Sequence, residues 1–404
     1  MNITPSVSIN RIAVKLKPSA EKMVKRRHPW VFENSIIKQS IEGKAGDLVI
    51  VYDSKKNKFL ACGLLDPVSP IRVKLIQFGI SKKIDETWFN VTIQSAFDKR
   101  KELLETDTNS YRIIYGENDN MPGFIADVYA DVLVIKLYSH IWFPYLNTIL
   151  PILIEITGVK SVVLRMSRLL QNTDKSFGLK DGQVVYGTLE HEVVLFTEHG
   201  VKFSANVIYG HKTGYFLDHR HNRKRVGELA KHKSVLDVFS YAGGFSVHAL
   251  VGGATSVTSL DISKQALVSA QNNAKLNNHS GTHNILAVDA FEGLATLISK
   301  KSKFDIVVID PPSFAKRESE VGGAKQSYRR LAKLGVQLVK STGMLVLASC
   351  SSRITAIDFF EIIEKELYRS GKDFTIIDKT YHDSDHPITF TEGAYLKCGY
   401  YRIN

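Results

Sequence analysis

The stretch Val235–Gly253, VLDVFSYAGGFSVHALVGG, decides the fold. An apolar run of Val235, Leu236 and Val238 breaks into a turn containing Gly243 and Gly244, and apolar residues then recur at helical spacing. Working outward, VTSL ends at Asp261, ILAV ends at Asp289, and DIVVID ends at Asp310 followed by Pro311 and Pro312. With Asp237, the acids recur at intervals of 24, 28 and 21 residues. That is the rhythm of βαβ units in an open parallel sheet, whose ligands sit outside the carboxyl ends of the strands. The reading therefore places four acids along one edge of one crevice.

A chain of 404 residues divides into two or three domains. A hydrophobic content of 44% with 23% charged residues is that of a globular protein, and a net charge of +12 points to a polyanionic partner. The run Ile149–Ile156 holds a Pro and a Glu and is too short to span a bilayer, and the first residues lack the apolar core of a signal peptide. Cys62, Cys350 and Cys398 are far apart in sequence and suggest neither a disulfide framework nor a zinc cluster, so no metal is expected and a cytoplasmic setting fits.

Residues 1–80 read as a small β-rich domain, with strands at AVKL, DLVIVY, FLACGLL and IRVKLI and a helical start near Ser19. Residues 81–190 read as a central α/β segment: helical between Ile84 and Glu105, strands at YRIIYG, GFIADVY, VLVIKLY and SVVLRM, and a helix at about Pro144–Thr157. Residues 191–404 carry the parallel sheet, entered through a helix predicted from an Asp218 N-cap to about Lys231.

Within the crevice, Gly243 and Gly244 allow a tight turn and close approach to a ligand where a Cβ would collide. Asp261 is placed to accept hydrogen bonds from ribose hydroxyls, with Ser263 capping the next helix and Leu267, Ala270 and Ala274 facing the sheet. These residues imply a nucleoside-containing cofactor without separating NAD from S-adenosylmethionine. Asp289 either reaches an adenine amino group, with Phe291 lining the base, or simply caps a helix. Asp310-Pro311-Pro312-Ser313-Phe314 leaves a carboxylate and carbonyls facing the crevice on a stiff backbone, suited to a planar base. Cys350 closes the buried strand LVLASC and becomes a nucleophile if its pKa is lowered. Cys62 and Cys398 read as packing.

Two basic clusters flank this chemistry. Seven Lys or Arg against one Glu lie between Arg11 and Trp30, including Lys25, Arg26 and Arg27, next to HPWVF. Six against two Glu lie in Lys316–Lys333, including Lys316, Arg317, Arg329 and Arg330. Cationic groups beside an aromatic platform suit looped or single-stranded RNA, while a solvated helix face is the alternative in each case.

Taken together, DVFSYAGGFSVHA, DPPSFAK, SCS, HPWVF, GENDNMPGFIADVYADVLVIK and HKTGYFLDHR resemble the large-subunit methyltransferase I group of class I S-adenosylmethionine-dependent rRNA methyltransferases. The resemblance spans nearly the whole chain. It implies an N-terminal PUA-type RNA-binding domain, a central α+β domain and a Rossmann-like methyltransferase domain with a mostly parallel seven-stranded sheet. It implies S-adenosylmethionine contacts from Lys212, Tyr215, Leu217, Asp218, Arg220, Asp237, Phe239, Tyr241, Gly243, Gly244, Asp261, Asp289, Phe291 and Asp310. Cys350 would attack carbon 6 of a cytosine in 23S rRNA or a large-subunit assembly particle while Asp310 holds ring nitrogen 3, and the protein would be compatible with a homodimer. RNA would be gripped by the basic clusters, Trp30, Pro311, Pro312 and Phe314. Ser313 and Ser352 stand where many relatives have Lys and His, which leaves the final base unassigned. The competing readings are an adenine N6-methyltransferase working through DPPSF, and a non-catalytic assembly factor that binds S-adenosylmethionine and RNA. Phe314 lies one residue away from the place the adenine chemistry requires.

Overall fold

The computed structural model describes residues 3–171 and 176–404. Their contacts gather into two units, one comprising residues 1–197, 204–217 and 384–393, the other residues 198–203, 218–383 and 394–404.

In the first unit, the N-terminal six-stranded sheet runs in the order Trp30–Phe32, Ile71–Phe78, Phe59–Leu65, Leu48–Tyr52, Arg11–Leu16, Ile36–Gln39. The predicted strands are present, and the two short ones at 30–32 and 36–39 lack the alternation that would have revealed them. A five-stranded sheet follows, in the order Gln183–Tyr186, Ser161–Met166, Val132–Leu137, Phe124–Tyr129, Ser110–Tyr115. The helix Glu86–Asp98 starts at Asp85, whose carboxylate accepts from the Trp88 amide, and buries Trp88, Phe89, Ile93 and Ala96. Those residues share one core with Leu48, Cys62 and Leu64 of the first sheet, Phe124 of the second, and Trp142 of the short 3-10 helix His140–Tyr145. A short two-stranded ribbon, Val193–Glu198 and Val201–Asn206, comes next in the chain.

The second unit holds the seven-stranded sheet: β1 (Ser234–Val238), β2 (Ser256–Asp261), β3 (Thr282–Ala287), β4 (Phe304–Ile309), β5 (Val339–Cys350), β6 (Phe374–Thr380) and β7 (Leu396–Ile403). Their order is β3-β2-β1-β4-β5-β7-β6. The first five pair in parallel, and β7 runs antiparallel between β5 and β6. The connecting helices are α1 (Arg220–Leu229), α2 (Gly244–Val251), α3 (Lys264–Lys275), α4 (Ala290–Ser299), α5 (Val321–Leu338) and α6 (Ala356–Arg369). Leu236, Val307, Leu345 and Leu347 of the central strands meet Tyr328, Leu331 and Phe359 of α5 and α6 in one apolar core. The order reverses at β1, between β2 and β4, and a ligand crevice belongs at such a switch point. No helix among the described residues is long and apolar enough to cross a membrane.

Candidate functional site

The turn after β1 is built from backbone conformations that cost energy. Phe239 has φ 63° and Tyr241 φ 47°, and Gly243 has φ 80°. The amides of Phe239 and Ser240 both donate to the Leu260 carbonyl of β2, and the Tyr241 amide donates to the Asp261 carboxylate at 2.9 Å. The need for glycine at 243 differs from the expected ligand approach: a Cβ there would stand 2.7 Å from Ala270 Cβ, so the position serves the packing of α3.

Three of the four predicted acids face outward at the strand ends, and Asp237 does not. It is buried inside the turn, where one carboxylate oxygen accepts from both the amide and hydroxyl of Ser246. Burial pushes its pKa up to about 7 against those hydrogen bonds. Asp261 also accepts from the Ser263 amide, and Ser263 caps α3 as predicted. Asp289 caps α4, its Oδ1 accepting from the amides of Phe291 and Glu292. Phe291 is half-buried, and the Arg330 guanidinium covers its ring at 4.4 Å.

The upstream contacts predicted for the cofactor are placed differently from one another. Lys212 is exposed and its ammonium lies 4.6 Å over the Phe216 ring, while Tyr215 and Leu217 are buried in the first unit. Asp218 is no helix cap: α1 begins two residues later, and the Asp218 carboxylate accepts from the Tyr395 hydroxyl at 2.8 Å. Arg220 is fully buried, between Glu198 at 3.8 Å and Asp383 at 3.4 Å, so its side chain belongs to an internal ion network instead of to a ligand.

At the ends of β4 and β5 the chemistry converges. Cys350 is half-buried, with its Sγ 3.4 Å from His219 Nε2 and 3.7 Å from Asp310 Oδ1. His219 Nε2 is also 3.4 Å from Asp310 Oδ1. Sequence reasoning took His219 only as part of the Leu217–Arg220 cofactor stretch of the HKTGYFLDHR motif and gave it no role at the thiol. Its partners are 91 and 131 residues further along the chain, and no local spacing announces that contact. Asn222 orients the ring. Its Oδ1 accepts from the hydroxyls of Thr380 and Tyr400, so its amide nitrogen donates to His219 Nδ1 at 3.1 Å. In the neutral ring the proton therefore sits on Nε2, towards the thiol and Asp310. Burial disfavours charge on His219, but the adjacent Asp310 carboxylate outweighs it and raises the ring's pKa. The Asn222 contact opposes that rise. The side-chain atoms of Cys350, His219 and Asp310 that meet here all lie within 4.8 Å of one another.

Around this cluster, Pro311 is buried and Pro312 exposed, and Phe314 packs edge-on against Tyr328 at 5.3 Å. Lys316, Arg317, Arg329 and Arg330 are exposed, and the Glu320 carboxylate accepts from the amides of Lys316 and Arg317. In the first unit Lys25, Arg26 and Arg27 are exposed, Lys25 lying 3.6 Å from Asp53. Trp30 is no open platform: its indole N–H donates to Glu117 at 3.0 Å, and the Phe390 ring packs edge-to-face on it at 5.2 Å. Cys62 and Cys398 are buried, and burial pushes the Cys62 thiol up to about 12.

The residues at the switch point fit a nucleoside sulfonium cofactor. Asp261 and Asp310 present carboxylates there, and Ser240 Oγ, between two residues at positive φ, is buried without a partner among the described residues. A model of the S-adenosylmethionine-dependent methyltransferase family matches residues 126–387, and one of the PUA-like domain matches residues 14–78. A ribosomal RNA large subunit methyltransferase of Deinococcus radiodurans is 40% identical over 99% of both chains. Ribosomal RNA large subunit methyltransferase I of Escherichia coli is 33% identical over 96% of this chain and 98% of its own. In three dimensions, an S-adenosylmethionine-dependent methyltransferase from Streptococcus mutans superposes with a TM-score of 0.80 at 23% identity, covering 96% of this chain and 99% of the other. A methyltransferase complexed with S-adenosylhomocysteine gives 0.81 at 24% identity, covering 98% and 100%.

Proposed function

The chain belongs to the S-adenosylmethionine-dependent methyltransferases that act on large-subunit ribosomal RNA, and we propose that it forms 5-methylcytosine in 23S rRNA through a covalent Cys350 adduct. The observation that carries this reading is the thiol of Cys350 beside both His219 and Asp310.

Carbon 5 of cytosine is too weak a nucleophile to take a methyl group unaided. Addition of the Cys350 thiolate to carbon 6 makes the ring enamine-like and turns carbon 5 into a nucleophile. The thiol points its hydrogen at Asp310, so the proton it loses passes to the carboxyl group that faces ring nitrogen 3, where protonation favours the addition. His219, with its proton on Nε2, donates towards the thiolate and limits the charge Asp310 must oppose. Asp261, the 239–243 turn, Asp289 and Asp310 would hold S-adenosylmethionine, which would supply the methyl group. A base, water or a side chain not assigned by the sequence, then takes the carbon 5 proton as the bond between sulfur and carbon 6 breaks and the thiolate leaves, and the proton at ring nitrogen 3 returns to Asp310. Pro311 and Pro312 hold Asp310 on a backbone that cannot fold over it, and the target base must leave its stack to reach the thiol. Lys316, Arg317, Arg329 and Arg330 on one unit, and Lys25, Arg26 and Arg27 on the other, supply cations for the RNA backbone.

The test is methylation of 23S rRNA, free and in assembling particles, by wild type and Cys350→Ala, with nucleosides identified by mass spectrometry. 5-Methylcytosine from wild type alone is expected. N6-methyladenine from both proteins would transfer the assignment to the Asp310-Pro-Pro motif acting on an amino group.

A further inference from the structure

Lys397 is an anomaly of the second unit. It lies on β7, paired across the sheet with Ser349, the residue before the nucleophile, and it is 2% exposed. A lysine so buried ordinarily faces a carboxylate. Here the ammonium donates to three backbone carbonyls: Ser351, Ile354 at 2.5 Å and Tyr395 at 3.1 Å. Among the described residues it forms no ion pair. Two of those carbonyls belong to the loop that leaves Cys350, so one cation holds both ends of that loop's first turn.

Carbonyl dipoles satisfy the donors of an ammonium but leave its charge unbalanced in a dry site, and one of the carbonyls it holds belongs to Ser351, the residue after Cys350. We propose that Lys397 is the positioning cation of the nucleophile: it fixes the loop after Cys350 and, by its unbalanced charge, favours the thiolate. This rests on the reading of Cys350 as nucleophile. Burial pulls the Lys397 pKa down to about 8, while the Cys350 charge acts in the opposite direction. The other titratable groups facing the thiol are His219 and Asp310 in contact with it, and Tyr328, whose hydroxyl is 2.8 Å from Ser349 Oγ. His219 contacts the sulfur, Lys397 holds the loop that follows it, and the Asp310 carboxylate opposes both positive groups.

The experiment is the rate of Cys350 alkylation by iodoacetamide against pH in the full-length protein, the labelled cysteine being identified by peptide mass spectrometry. Cys62 and Cys398 are buried and stay silent. In the wild type the rate is expected to reach half its maximum below the ordinary thiol value of about 8.5. In Lys397→Met the midpoint rises by about one unit or more, and alkylation at neutral pH slows roughly tenfold. Equal midpoints in the two proteins would overturn the proposal and leave Lys397 a purely structural clamp. A wild-type midpoint at or above the ordinary value would overturn it without any variant, so the test survives a Lys397→Met chain that fails to fold. Because methylation is not the readout, a failure of the adduct mechanism, seen as methylation surviving in Cys350→Ala, remains a separate result.

Discussion

His219 shows how a single residue gains chemistry from its neighbours. On its own it is a buried ring at the start of α1; between Asn222 and Asp310 it becomes an oriented donor aimed at a thiol. His219→Ala removes that donor and is expected to lower methylation about 10²-fold or more while the fold is retained. A rate within about threefold of wild type would remove His219 from the reaction. The electrostatic claim is checked apart from turnover by the imidazole titration in NMR. Asp310 raises the pKa of His219 against the effect of burial, so in Asp310→Asn the ring should titrate lower than in wild type. The sign follows for stability: a raised histidine pKa stabilises the folded chain at low pH, and that contribution fades as pH climbs through the folded value. An unchanged titration would show that Asp310 does not act on the ring.

Among the elements, the β1–α2 turn carries the sharpest local demand. Gly243→Ala must hold alanine at φ 80° and push a methyl group within 2.7 Å of Ala270. A loss of about 1–3 kcal/mol is expected, read from urea unfolding followed by circular dichroism, because all three tryptophans lie in the first unit. Unchanged stability would mean that α3 can retreat freely. The parallel strands and their terminal acids were legible because apolar runs, turn glycines and an Asp-Pro-Pro stop are written locally. The start of α1 was misplaced because Asp218 looks like an N-cap in sequence but spends its carboxylate on Tyr395, 177 residues away. Gly243 and Gly244 suit a ligand cradle in sequence; in three dimensions a side chain at Gly243 would also meet Ala270 of α3.

At the scale of the whole molecule, the second unit is held by an ion network that sequence did not announce. Glu198 is fully buried, clasped by the Arg223 guanidinium at 2.7 and 2.6 Å and by His248 at 3.0 Å. Burial opposes its charge, but Arg223 outweighs burial and holds the carboxyl well below its usual range. A depressed acid stabilises the fold above its unfolded pKa, and that stability drains away as pH falls below about 4.5. Glu198→Gln strands the arginine and is expected to cost about 3–5 kcal/mol at neutral pH, with a flatter acid limb in pH-dependent unfolding. An unaltered acid limb would assign the acid sensitivity elsewhere. The sequence alone determined the parallel sheet and the acids at its strand ends, which rest on periodicity and local turn signals, while its resemblance to known methyltransferases implied the S-adenosylmethionine-dependent family and the PUA-like domain. Only the tertiary structure decided that His219 lies against Cys350, that Lys397 holds the carbonyls of the loop after it, that Asp237 and Arg220 are internal, and that residues 384–393 pack with the first unit. Those are contacts between residues tens to hundreds of positions apart, and burial, which sets charge and pKa, exists only once such segments have packed.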